Sequence, residues 1–169
     1  GKVLVNGGHI RNFVGQKATQ IFDPQTSKWE RKKDMAWGRW DPSTVTLPNG
    51  DIFTMSGANS SESDLNYTPE IWSVATGTWR KLPELRDCSG GSCTLMYPWL
   101  HIAPNGKIFV SGANQATGYI DTSNAAWTAV DDTTAGFRGA YMATSVSYEP
   151  GKVFITGGLP ATNSAEIID

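Results

Sequence analysis

Short stretches in which apolar residues alternate with polar ones, or run together for four or five positions, recur along the whole chain. "KVLVN" is followed by Gly7 and Gly8, "DIFTM" by Ser56 and Gly57, "KIFVS" by Gly112, and "KVFIT" by Gly157 and Gly158. Each stretch is also opened by a glycine, at Gly1, Gly50, Gly106 and Gly151, so the four octets start 49, 56 and 45 residues apart. Runs this short, bounded by turn residues, read as β-strands. A second landmark accompanies three of them. "IFDPQTSKW", "IWSVATGTW" and "YIDTSNAAW" place Phe22, Trp72 and Ile120 seven residues before Trp29, Trp79 and Trp127. Asp, Pro, Thr, Ser, Asn and Gly fill most of the gap, so each copy predicts a strand, a tight turn and a second strand opening on tryptophan.

A period near 50 residues is the mark of four-stranded, kelch-like propeller blades. One unit reads "STVTL", the turn Pro48-Asn49-Gly50, "DIFTM", a long loop, "EIWSV" and "TWRKL". The faces of such a blade are apolar and have to be buried against neighbouring blades. The tryptophans are therefore expected to pack between blades and not to serve as ligand platforms. The predicted fold is all-β. Residues 1–35 form a blade without its inner strand, 36–85 and 86–130 form complete blades, and 131–169 form a blade without its outer strand. Roughly three and a half blades are fewer than the about four to eight that close a ring. The expectation is a fragment of a propeller of about seven blades. Missing blades, in the same protein or in another chain, would cover its end faces.

The composition agrees with such a fold: 18 Gly, 9 Pro and 7 Trp suit turns and blade packing, and charged residues make up only 18%. The net charge of −2, without a basic stripe, argues against nucleic acid as a partner. No apolar run approaches the ~18 residues of a membrane-spanning helix. Cys88 and Cys93, in "CSGGSC", can close a small disulfide ring or stay as two thiols; the disulfide is the favoured state. Neither His9 nor His101 stands at a spacing that would complete a zinc site with them. Asn59-Ser60-Ser61 and Asn66-Tyr67-Thr68 are glycosylation sequons in one long polar loop. Both asparagines are expected at the surface. With the disulfide they point to a secreted, extracellular glycoprotein.

"GKVLVNGGH", "IFDPQTSKW", "DMAWGRWDPS", "LPNGDIFTMSGA", "YPWLHIAPNGKIFVSG" and "EPGKVFITGG", in that order, resemble the kelch propeller of the galactose oxidase and glyoxal oxidase family. The resemblance spans nearly the whole chain. It implies copper radical oxidases, which oxidise an alcohol or aldehyde and reduce oxygen to hydrogen peroxide. They use one copper ion, a tyrosine cross-linked to a cysteine, a second tyrosine and two histidines. Imidazole and phenolate suit copper in both redox states.

Carried over residue by residue, the resemblance yields no copper ligand in this chain. In the glyoxal-oxidase-like branch the cross-linked tyrosine directly follows Arg-Trp. Here Arg39 and Trp40 match, and Asp41 stands where the tyrosine would be. The stretch "GGLPAT" after the last octet holds no tyrosine either. Asp41 is expected to face the propeller axis and to pair with Arg39 or accept backbone N–H groups. His9 reads as a loop hydrogen-bonder and His101 as a packing residue. Tyr97, Trp99 and Tyr141 belong to inner-strand regions, where side chains line the channel. Two functions fit. One is a binding or structural module, with carbohydrate or a protein surface as candidate ligands and no cofactor among these residues. The other is an excerpt of a working copper radical oxidase whose ligands lie outside them.

Overall fold

The computed structural model describes residues 1–85, 96–139 and 141–169. Among them are sixteen strands and no helix, arranged in antiparallel sheets. The first sheet holds β1 (Val3–Asn6), β4 (Thr19–Asp23) and β5 (Lys28–Arg31), and a small hairpin of β2 (His9–Arg11) and β3 (Val14–Gly15) lies inside its loop. The second sheet is β6 (Ser43–Thr46), β7 (Ile52–Met55), β8 (Glu70–Ser73) and β9 (Thr78–Lys81), paired in that order. The third is β10 (Trp99–Ile102), β11 (Ile108–Gly112), β12 (Ala116–Ile120) and β13 (Trp127–Asp132). The fourth is β14 (Ala143–Glu149), β15 (Lys152–Gly157) and β16 (Ala165–Ile168). These are kelch-like blades, and the all-β expectation holds. The β2–β3 hairpin was not expected. It turns at Asn12 and Phe13, where Phe13 takes a φ of 59° and brings its ring to 4.7 Å from that of Trp40.

The seven-residue spacing has a physical meaning. Phe22 is directly opposite Trp29, Trp72 opposite Trp79, and Ile120 opposite Trp127. A hairpin of constant loop length fixes the register, and the large pair lands on one face of the sheet. The Trp72 and Trp79 rings meet edge to face at 5.5 Å. Trp72 is buried, and Trp79 donates its indole N–H to Thr19 Oγ1 of the first sheet at 2.9 Å. Trp127 packs on the core between the second and third sheets. Trp29, in the first sheet, is 56% exposed.

Neighbouring blades stack through equivalent positions. The sixth residue of each octet meets the middle of the next inner strand. Between the first and second sheets this contact is polar: Thr44 donates to Asn6 Oδ1 at 3.1 Å, and Asn6 Nδ2 donates to Thr54 Oγ1 at 3.0 Å. Between the second and third it is apolar. Met55 and Leu100 belong to a core with Phe53, Ile71, Ile108 and Ile120. Between the third and fourth it is polar again, with Ser111 donating to Ser145 at 3.0 Å beside a core of Trp99, Phe109, Val153 and Ile155. β11 is buried along its whole length because sheets cover both its faces. β1 and β16 alternate exposed and half-buried residues, and Val3, Val5, Val146 and Ile167 stand open to solvent.

Candidate functional site

The segment "GRW" owes its position to close backbone contact. Gly15 and Gly38 let the chain before β6 lie against β3: a Cβ on Gly15 would come 2.1 Å from the Trp40 nitrogen, and one on Gly38 2.2 Å from the Gly15 oxygen. Gln16 and Arg39 then form a β-bridge, as do Trp40 and Ala58. Arg39 is fully buried. It donates to Glu70 Oε1 at 2.9 Å and to the carbonyls of Ser56 and Thr68 at 2.9 and 2.6 Å. Glu70 is buried too, and its other oxygen accepts the Ala36 N–H at 2.8 Å. Burial works against the Arg39 charge and lowers its pKa, while Glu70 opposes that shift. Arg39 therefore ties the loop before β6 to the ends of β7 and β8, and its guanidinium is spent on that task.

The expected pairing of Asp41 with Arg39 is thereby corrected, because Glu70 already occupies the guanidinium. Asp41 instead accepts the Tyr141 hydroxyl at 2.9 Å on Oδ2, a contact between residues 100 positions apart. Asp41 and Tyr97 stand at the same place in their blades, two residues ahead of β6 and β10. Each is followed by proline, with φ of 54° and 60°. Tyr141 stands two residues ahead of β14. The Asp41 carbonyl accepts the Tyr97 N–H, and the Tyr97 and Tyr141 rings are 6.2 Å apart at 38°. Partial burial, with donation to Asp41 and its negative charge, pushes the Tyr141 phenol well above the ordinary tyrosine range. Below this cluster the inner strands line a cleft of about 280 Å³ with Ser43, Thr44, Trp99, His101 and Ser145 among its walls.

Trp40 donates its indole N–H to His9 Nδ1 at 2.8 Å, so His9 is a hydrogen-bonder as expected, although it opens strand β2 and does not lie in a loop. His101 is more than a packing residue. Its Nε2 lies 2.7 Å from Ser145 Oγ and 3.1 Å from Ser111 Oγ, and its Nδ1 lies 3.0 Å from Ser147 Oγ. The ring faces the hydroxyl-bearing side of β14, where an unbonded imidazole would be costly. Burial lowers its pKa.

The two sequon asparagines are not the surface residues expected. The Asn59 amide spans the loop: Oδ1 accepts the Gly38 N–H at 3.0 Å and Nδ2 donates to Asp64 at 2.9 Å. Asn66 is only 8% exposed, and its Oδ1 accepts the Thr68 N–H. The loop folds back on its blade because Ala58 bridges both Trp40 and Leu65. Cys88 and Cys93 lie outside the described residues.

Reading the sequence missed a second pair like the first. Arg138 donates to Glu166 Oε1 at 2.9 Å and to the carbonyls of Gly157 and Ser164 at 2.6 and 3.4 Å. Burial alone would raise the Glu166 carboxyl, but donation by Arg138, by Thr134 and by the Thr134 and Ala135 amides brings it down to about 2. Gly157 and Ser56 hold the same octet position, both with positive φ, which turns their carbonyls toward the arginine. A signal was present: an alanine three residues before each arginine, and a glutamate before the isoleucine of each third strand.

These residues do not fit the copper centre that the resemblance implies. The family position holds a carboxylate already bonded to Tyr141, both nitrogens of His101 face serine hydroxyls, and His9 Nδ1 is taken by Trp40. Among the described residues no three His, Cys, Asp or Glu side chains gather as a metal site.

No protein-family model matches the chain. Among curated proteins it is similar to "Aldehyde oxidase GLOX" of Vitis pseudoreticulata, 35% identical over 134 residues, covering 73% of this chain and 23% of that protein. It is 27% identical to "Galactose oxidase" of Gibberella zeae over 191 aligned positions, covering 99% of this chain and 27% of the relative. An F-box/kelch-repeat protein of Arabidopsis thaliana is 32% identical over 85 residues, half of this chain and 20% of the relative. The chain thus spans about a quarter of the length of the oxidases it matches. Oxidases and a protein named for its kelch repeats are both similar to this chain of repeated sheets, and the chain belongs, as a partial propeller, to the kelch-type galactose oxidase and glyoxal oxidase-like family.

Proposed function

We propose that this part of the protein is a binding and scaffolding propeller that presents its inner-strand mouths to a ligand and does not itself carry copper radical chemistry. The observation that carries the reading is the bond from Tyr141 to Asp41 at the position where the family places a cross-linked tyrosine. A carboxylate cannot form the thioether link or hold a radical at an accessible potential. The open faces at Val3, Val5 and Trp29 and at Val146, Tyr148 and Ile167 support a second element of the proposal. They match faces that the inner sheets bury against each other, so further blades, of the same protein or another chain, pack there. An extracellular location belongs to the same proposal and rests on the Cys88–Cys93 spacing. Secretion from the native host, followed by non-reducing peptide mapping, tests it.

The deciding experiment adds copper to the purified intact protein and follows peroxide release from simple alcohols and aldehydes. The reading expects none that depends on residues 1–169. The named activities of the two oxidase relatives favour the alternative, a copper radical oxidase whose ligands lie outside these residues. Copper-dependent peroxide release would establish that alternative. If it also disappeared in Asp41→Asn, these residues would belong to the reactive centre and the proposed function would be wrong.

A further inference from the structure

We infer that Asp41, Tyr97 and Tyr141 form a binding site for an organic ammonium group, either a quaternary ammonium or a protonated alkylamine. The inference rests on the binding-module reading and names the ligand class of its site. Among the described residues Asp41 makes no ion pair; its side-chain partner is the Tyr141 hydroxyl on Oδ2, which leaves Oδ1 for a ligand. The arginine two positions before it is buried against Glu70 and gives no neutralisation at the mouth. Tyr97 and Tyr141 are 47% and 56% exposed, so their ring faces are accessible beside the carboxylate.

The chemistry of the three groups has one sign. Tyr141 spends its only side-chain proton on Asp41, so its oxygen has only lone pairs left to offer. The two rings lie with centroids 6.2 Å apart and planes tilted by 38°, and each half-exposed ring carries the negative side of its quadrupole on its faces. A carboxylate with electron-rich ring walls favours a cation with an apolar or N–H-bearing shell. A sugar asks instead for interleaved donors and acceptors, and the donor that Tyr141 would offer is already committed. The mouth is also held in shape. The Tyr97 N–H donates to the Asp41 carbonyl, and Pro42 and Pro98 restrain the chain directly after the two positive-φ residues.

The test titrates the intact protein with choline chloride, at ionic strength held constant with sodium chloride, and reads saturable heat or amide shifts. The neutral isostere 3,3-dimethylbutan-1-ol is run alongside. Choline is expected to saturate the site, with the isostere at least about tenfold weaker. Asp41→Asn keeps a residue that tolerates the left-handed backbone and should weaken choline binding about tenfold. Tyr97→Ala, which leaves the carboxylate intact, should weaken it severalfold. Circular dichroism of each variant checks the fold. Equal binding of the isostere, undiminished binding by Asp41→Asn, or no saturable choline binding would overturn the inference. The copper and peroxide assay on the same preparation separates the two levels. Absent choline binding without peroxide removes the ligand class alone, whereas peroxide release lost in Asp41→Asn removes the binding-module reading itself.

Discussion

The second and fourth blades carry the same arginine–glutamate pair in different surroundings. In both, the arginine before the inner strand bonds the glutamate of the third strand and the carbonyls at the ends of the second strand and the long loop. In both, the arginine Nε is buried without a hydrogen-bond partner. Arg39 and Glu70 have side chains 0% and 1% exposed, while Arg138 and Glu166 have 3% and 14%. The second blade is covered by sheets on both sides; the fourth has one open face. One motif therefore serves as a fully desolvated pair in one place and as a pair with a slightly exposed glutamate in the other. The third blade lacks the glutamate in register. Gly118 stands at the glutamate position, and a Cβ there would meet Trp127 at 2.5 Å. Aromatic packing replaces the ion pair.

The largest effect expected from this contrast is that of Glu70→Ala. It strands a buried guanidinium and the Ala36 N–H, and should cost roughly 3–5 kcal/mol in urea-unfolding experiments. An unchanged midpoint would show that water reaches Arg39. The fourth-blade pair should cost less and depend on pH. The folded Glu166 carboxyl is at about 2, below its ordinary value of 4.5, so its contribution is complete above pH 4.5 and is lost as the pH falls toward 2. That amounts to about 3 kcal/mol at most, and Glu166→Gln should flatten the stability profile across that window.

Gly118→Ala should cost about 1–3 kcal/mol through overpacking against Trp127, with no change in pH dependence. Asn59→Ala removes the bond to the Gly38 N–H and should cost about 1–2 kcal/mol, loosening the loop before β6. The smallest effect concerns His101. Its folded pKa lies below the ordinary 6.5, so stability falls as the pH drops from 6.5 through the folded value and then levels off. His101→Gln should remove that step and leave the Glu166 step in place.

Strand positions were legible because both signals were local. A glycine-bounded apolar octet and a hairpin of constant length each fix register within a few residues, and the pairs Phe22–Trp29, Trp72–Trp79 and Ile120–Trp127 follow directly. The repeat also identified the blade, since four short antiparallel strands with apolar faces have to stack. The fate of polar residues was not legible in the same way. Whether Asn66 is surface or core depends on how its loop folds back over the blade, which is decided by the bridges of Ala58 to Trp40 and Leu65. Arg39 chose Glu70 over the nearby Asp41 because burying a guanidinium demands a fully desolvated partner and carbonyls in fixed places, which the blade interior supplies. Asp41 and Tyr141 are 100 residues apart in the chain and meet because successive inner strands converge, so their contact belongs to the stacking of blades and not to the octets. The sequence by itself determined the repeated strand, turn and register, because those rest on steric and hydrophobic rules between neighbours. Only the tertiary structure decided which polar groups are buried together, because that depends on which distant surfaces exclude water from them.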